Sequence, residues 1–166
     1  MIIICDNSAL SGLAEIGELD LLRRLYGKIH VTGTVLQEAI HAGAPVSLRS
    51  LFLSQPDWIS VVLDDSPFLE ETGSLDAGEA SSITLAWNHR SSCLLILDER
   101  RGRKVADALG LRITGTAGLL TDAAACGLVD FDEVFTRLER TGFGLSRQIV
   151  ETLRQNLAHG RRSAGE

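Results

Sequence analysis

Short apolar runs alternate with longer stretches of helical spacing along most of this chain. Ile2–Cys5 is a continuous apolar run, which predicts a buried strand at the very start. Ser8 to about Ile16 and Leu19 to about Tyr26 repeat apolar residues at helical intervals, with Gly27 as a stop. Ile29–Val31 predicts a second strand. Thr32-Gly33-Thr34 then offers a cap for a helix through Val35, Leu36 and Ile40 that ends near Gly43. Ser47–Leu53 predicts another helix after Pro45, and the alternating, β-branched Trp58–Leu63 a third strand. Asp64–Ser74, with Pro67 and Gly73, reads as a polar loop. Beyond it come a helix from Asp76 to about His89, a strand at Leu94–Leu97, and a helix over Arg100–Leu109 stopped by Gly110. Leu111–Thr114 predicts the last strand. Three helices follow, at Thr116–Cys126, Asp130 to about Arg140, and Ser146 to about Ala158.

Strands this short and apolar, separated by helices, imply a parallel sheet covered on both faces, that is, a three-layer α/β/α sandwich. No repeat, low-complexity run or linker divides the chain. Residues 1–158 are expected to form one domain and 159–166 a loose tail.

Composition narrows the functional classes. The chain has 166 residues, 45% of them apolar and only 5% aromatic, so its core rests on Leu, Ile, Val and Ala. No stretch approaches the roughly 20 apolar residues of a membrane span. The opening Met1-Ile2-Ile3-Ile4 lacks the basic flank of a signal peptide, so no cleaved leader is expected. Cys5, Cys93 and Cys126 form no C-x-x-C pair, which favours a reducing, cytoplasmic setting over disulfides or a thiolate zinc site. The formal net charge of -6 disfavours a protein that wraps duplex DNA through many phosphate contacts. It is compatible with a nuclease whose bound cation reverses the local field.

In parallel sheets, sites lie outside the carboxyl ends of the strands. Asp6 follows the first strand and Asp98 follows the strand over Leu94–Leu97, so both leave the same rim. Glu38 lies in the helix after the second strand, and Asp76 and Glu79 open the helix that leads to Asp98. A parallel fold could gather these acids at one pole. Clustered carboxylates repel one another, and a hard cation such as Mg²⁺ or Mn²⁺ is their natural counterion. Each acid also has a plainer structural reading. Asp6 and Asp98 could cap the helices that follow them, Asp76-Ala77-Gly78-Glu79 has the spacing of a capping box, and Glu38 could be a solvated helix residue. Either Asp76 or Glu79 could serve as the third acid.

Five segments carry a resemblance. Ile3-Ile4-Cys5-Asp6-Asn7-Ser8-Ala9-Leu10, Val35-Leu36-Gln37-Glu38-Ala39, Leu75-Asp76-Ala77-Gly78-Glu79-Ala80, Leu95-Ile96-Leu97-Asp98-Glu99-Arg100 and Leu109-Gly110-Leu111-Arg112-Ile113-Thr114-Gly115-Thr116 resemble, in order and spacing, the motifs of the PIN-like superfamily. The likeness runs from residue 2 to about 157, and is nearest to a prokaryotic branch marked by an L-D-x-G-E helix start. It implies a PIN-like fold and a Mg²⁺- or Mn²⁺-dependent ribonuclease. It also implies that Asp6, Glu38, Glu79 and Asp98 are the catalytic, metal-holding acids, and that Ser8 is the small hydroxyl residue beside the first acid. Many such proteins are toxins neutralised by a small antitoxin protein, and many are homodimers, so both partners are expected alongside the RNA substrate. Glu79 departs from the Asp that most active members carry, and Ala124 from a Lys that relatives often have.

Further residues suggest how a substrate would be held. Arg100, Arg101 and Arg103 follow Asp98 and could clamp phosphate at the rim of the acidic pocket, or form a solvated basic face. Thr116 lies in Gly115-Thr116-Ala117-Gly118, whose backbone N–H groups could meet a phosphate. That loop lacks the Lys of a P-loop. Two alternatives stand beside the ribonuclease: an interaction or dimerisation module with weak or no activity, and a nucleotide-binding α/β protein using the Gly115–Gly118 loop. A phosphoaspartyl enzyme of the D-x-D type is disfavoured because position 8 is Ser.

Overall fold

The computed structural model describes the backbone of residues 1–163 and the side chains of residues 1–158. Five parallel strands form one sheet: β1 (Ile2–Cys5), β2 (Ile29–Thr32), β3 (Ile59–Val62), β4 (Cys93–Ile96) and β5 (Ile113–Thr114). Their spatial order is β3-β2-β1-β4-β5. The chain moves outward from β1 to β2 and β3 on one side, then returns to the other flank of β1 for β4 and β5. The winding therefore reverses between β1 and β4. In open parallel sheets the crevice at such a reversal, at the carboxyl ends of the strands, is where ligands bind. β1 and β4 pair in register from Ile2↔Cys93 to Cys5↔Ile96, so their carboxyl ends lie level.

Helices occupy the crossovers of this sheet. They are α1 (Asn7–Glu15), α2 (Asp20–Tyr26), α3 (Gly33–Ile40), α4 (Val46–Leu53), α5 (Ala77–Asn88) and α6 (Arg100–Ala108). Alternation along the central strands sends side chains to both faces. Ile4, Cys93, Leu95 and Leu97 point to one face and pack with Ile83 and Ala86 of α5, Ala106 of α6, and Leu111. Ile3, Cys5 and Ile96 point to the other and are equally buried. A sheet centre covered on both sides is why the strands read as unbroken apolar runs. Truncating Ile4 or Leu95 to Ala would cost about 2–5 kcal/mol, because both are fully buried.

The described residues fall into two compact units, one spanning Met1–Gly115 and a second beginning at Thr116. The second holds α7 (Thr116–Ala125), α8 (Phe131–Arg140) and α9 (Arg147–Ser163). Its apolar stripe of Phe131, Val134, Phe135 and Leu138 is buried, with the two Phe rings stacked at 4.2 Å.

Four local outcomes differ from the sequence pattern. β5 is two residues long, so Leu111 belongs to the core without belonging to a strand. The Asp64–Ser74 loop contains a 3-10 turn at Glu70–Thr72 and is docked on α5, where Leu69 N donates to Thr84 Oγ1 at 3.1 Å. Asp98 is not the cap of α6; Glu99 occupies that position and makes no side-chain capping bond. The chain expected to loosen after Ala158 stays helical as far as Ser163, and residues 164–166 of the expected tail lie outside the described residues.

Candidate active site

Asp6 leaves β1 directly into α1 and serves as its N-cap, accepting from Ser8 N at 3.0 Å through Oδ2. The Ser8 hydroxyl donates to the same oxygen at 2.7 Å. Ser82 of α5 donates to Oδ1 at 3.1 Å. The residue is only 2% exposed, and burial raises its pKa despite these donors and a further hydrogen bond from the Asn7 backbone. The capping reading was therefore correct, and it does not exhaust what the carboxylate does. Its cost of burial is larger than one helix cap requires.

Ser8 also ties the first acid to the last. Its oxygen accepts the Asp98 backbone N–H at 3.1 Å, so one hydroxyl spans the carboxyl ends of β1 and β4. Asp98 itself is half-buried. Its Oδ1 lies where a Cβ at Gly115 would be, 2.6 Å from that point, with Arg103 Nη1 3.0 Å from the same point. Gly115 thus lacks a side chain for a local reason: the Asp98 carboxylate and the Arg103 guanidinium fill its place.

Glu38 and Glu79 reach the rim from α3 and α5. Glu38 is half-buried, and its carboxylate accepts the Gly78 backbone N–H. Burial, and then the charges of Asp6 and Asp76, raise its pKa. A Cβ on Gly78 would come within 2.6 Å of Glu38 Oε1, so this approach needs glycine. Asp76 is exposed and caps α5, accepting Glu79 N at 3.1 Å. Glu79 is 5% exposed, and its Oε1 is buried with no hydrogen-bond partner. Burial first, then the charges of Asp76 and Asp6, push its pKa up to about 7. The capping-box spacing thus delivers the cap, while the Glu79 side chain stays in the interior. A Cβ at Gly102 of α6 would collide with the Glu79 carboxylate, so a second glycine makes room for a second acid.

Asp6, Glu38 and Glu79 are coupled by charge, since Asp6 raises the pKa of both glutamates, while Asp98 is tied to Asp6 through Ser8 and through the buried Cys5 thiol on which both act. Among the described residues, no three His, Cys, Asp or Glu side chains stand in an arrangement that would hold a metal ion as they are. In the metal-free rim, Ser8 and Ser82 engage Asp6 while the Gly78 N–H engages Glu38. The donor set is nonetheless all oxygen. An orphaned buried Glu79 oxygen, and glycine cradles that bring two carboxylates in, fit a hard divalent cation.

The basic candidates divide. Arg101 donates to Ser74 O at 2.9 Å, and Arg103 to Leu97 O at 2.8 Å, so both are anchored to backbone carbonyls. Arg100 is exposed. Thr116, the first residue of α7, is fully buried in the second unit. Beside Glu38 lies a cleft of about 710 Å³ lined by Asn7, Ser11, Glu15, His41 and Pro45 among others, where Asn7 Oδ1 is likewise buried without a partner. Ser82 was not foreseen. The signal available was its position three residues after Glu79, which puts both on one helical face.

A five-stranded parallel sheet with acids at its winding reversal is the arrangement of a PIN/PilT N-terminal-like α/β fold. Residues 2–159 match the model of a PIN domain family, and the chain belongs to that family. Among solved structures it is similar to a PilT N-terminus domain protein, SSO1118, from the hyperthermophilic archaeon Sulfolobus solfataricus P2. The identity is 22% and the TM-score 0.56, over 74% of this chain and 93% of that one. At that identity the likeness concerns the fold. No curated protein matches the chain. Among the described residues no helix is long and apolar enough to cross a membrane.

Proposed function

We propose that this protein is a divalent-metal-dependent ribonuclease that hydrolyses RNA phosphodiester bonds at the rim formed by Asp6, Glu38, Glu79 and Asp98. Membership of the PIN family, whose members are typically metal-dependent nucleases, supports the class. The observation that carries the reading for this chain is the buried Glu79 carboxylate, with one oxygen unpartnered and its pKa near 7 among other acids. A fold does not leave such a group uncompensated without a reason.

Asp6, Glu38, Glu79 and Asp98 would hold Mg²⁺ or Mn²⁺. When bound, the cation supplies Lewis acidity at the phosphate and eases ionisation of water. The chain's own part is positioning. Ser8 holds Asp6 and the Asp98 backbone in one register. Glu79 would lose its proton on taking a cation, because a metal ligand must be in the carboxylate form. Asp6 and Asp98 are fixed by the sheet, whereas Glu79 sits on a longer side chain. Exposed Arg100 would meet phosphate, and the cleft beside Glu38 would take a nucleotide next to the acids.

Purified protein with Mn²⁺ should cut single-stranded RNA and leave 5′-phosphate and 3′-hydroxyl ends, the mark of attack by water. EDTA and Asp6→Asn should each abolish cutting, and Glu79→Gln should slow it less than Asp6→Asn does. Equal activity in wild type and Asp6→Asn would refute the assignment. Ends bearing 2′,3′-cyclic phosphate would refute the mechanism, since they require attack by the RNA's own 2′-hydroxyl.

A further inference from the structure

Ser82 is fully buried in α5, yet its hydroxyl is not used as buried helical serines commonly use theirs. Such residues bond back to a carbonyl one turn earlier. The neighbouring Ser81 does so, donating to Gly78 O at 2.8 Å and sharing a 2.7 Å hydrogen bond with Thr32 Oγ1. Ser82 instead reaches across to Asp6 Oδ1 at 3.1 Å, a contact between residues 76 apart in the chain. Ser8 uses Oδ2 twice, through its N–H and its O–H. Ser8 does not engage Oδ1, and Ser82 is the side chain that reaches that oxygen.

We propose that Ser82 is a positioning residue for the acid cluster. It fixes the orientation of the Asp6 carboxylate from the Oδ1 side, as Ser8 does from the Oδ2 side. Ser82 and Glu79 lie three residues apart on one face of α5. That helix therefore carries one acid and grips another, fixing the spacing between them. A carboxylate held at one oxygen only would swing about its Cβ–Cγ bond and lose affinity for any ion it must meet at a set angle. Partners of metal-holding side chains typically contribute 10–100-fold to affinity.

This inference rests on the metal reading above, and its test separates the two. Mn²⁺ dissociation constants are measured at fixed pH from the free-ion electron paramagnetic resonance signal. The proteins are wild type, Ser82→Ala, Ser82→Thr and Ser81→Ala, and the apo melting temperature of each is recorded alongside. Ser82→Ala is expected to weaken Mn²⁺ binding about tenfold. Ser82→Thr keeps the hydroxyl and should bind within about twofold of wild type, even where its extra methyl lowers the melting temperature. Ser81→Ala removes an equally buried hydroxyl that does not touch Asp6, so it should lose stability and keep its affinity. If affinity instead follows melting temperature across the series, or Ser82→Ala binds as wild type does, the positioning role is overturned while the metal reading stands. If wild type binds no Mn²⁺, the metal reading falls and takes this one with it.

Discussion

Replacing Glu79 with Gln should raise the stability of the metal-free protein, relative to wild type, more above neutral pH than in acid. Gln matches Glu in shape and carries no charge. In the fold, the Glu79 carboxyl holds its proton up to about 7, against an ordinary value of 4.5, because it is buried near Asp76 and Asp6. A raised pKa means that the folded state binds the proton more tightly than the unfolded state. The resulting stability is fully present below pH 4.5 and is lost as pH climbs through 7. At about 1.4 kcal/mol per pH unit the span corresponds to about 3 kcal/mol. Gln cannot ionise and escapes this loss. Its amide does leave a polar atom beside the same unpartnered spot, which costs about 1–3 kcal/mol. That cost does not depend on pH and cancels when two pH values are compared. The assay is thermal unfolding of wild type and Glu79→Gln in EDTA at pH 5 and pH 8. About 2.5 kcal/mol of that loss falls between pH 5 and pH 8, so at roughly 2–4 °C per kcal/mol for a chain of this size the melting-temperature difference, mutant minus wild type, should be about 5–10 °C larger at pH 8. A difference that is the same at both pH values would refute the claim that Glu79 is forced to ionise in a hostile site.

Two further outcomes follow from the geometry. Gly78→Ala places a methyl against the Glu38 carboxylate, so the side chain must leave. The fold should survive, since Ala favours helix by up to about 1 kcal/mol over Gly, while the melting-temperature rise caused by millimolar Mn²⁺ shrinks; an undiminished rise would remove Glu38 from the metal site. Arg100→Ala should weaken binding of single-stranded RNA and reduce the slope of log affinity against log salt by about 0.7, measured by fluorescence anisotropy in the catalytically silent Asp6→Asn background; an unchanged slope would return Arg100 to the solvated surface.

How legible the site was depends on which force placed each residue. Asp6 and Asp98 could be read because an acid after an apolar run at the end of a parallel strand has few places to go. Thr32 as the cap of α3 was equally plain, since its hydroxyl accepts Val35 N at 3.1 Å, a purely local bond. The ambiguity between Asp76 and Glu79 was real in the sequence, because a cap and a buried acid share the spacing of a capping box. Only packing against Gly102 separates them, and that contact joins residues far apart in the chain. The alternative reading of Asp98 as a cap fell away because Glu99, beside it, takes the N-cap position of α6. In the sequence Arg103 reads with Arg100 and Arg101 as a phosphate clamp or a solvated basic face. Its guanidinium instead turns to Leu97 O, a choice set by the end of β4 and invisible to periodicity. For Ser82 the sequence held only its helical phase with Glu79; that its hydroxyl reaches Asp6, 76 residues away at the exit of β1, is a tertiary contact that phase alone does not give.

In the proposed function, four carboxylates, two beyond the carboxyl ends of β1 and β4 and two from α3 and α5, share a divalent cation. Crystals soaked in Mn²⁺ and recorded at a wavelength where manganese scatters anomalously test it most directly. The account predicts an anomalous peak within about 2.0–2.6 Å of oxygens from Asp6 and Asp98, with Glu79 Oε1 and the Glu38 carboxylate drawn toward it directly or through water. A well-ordered apo-like rim with no peak at saturating Mn²⁺, or a peak held by other residues, would contradict it.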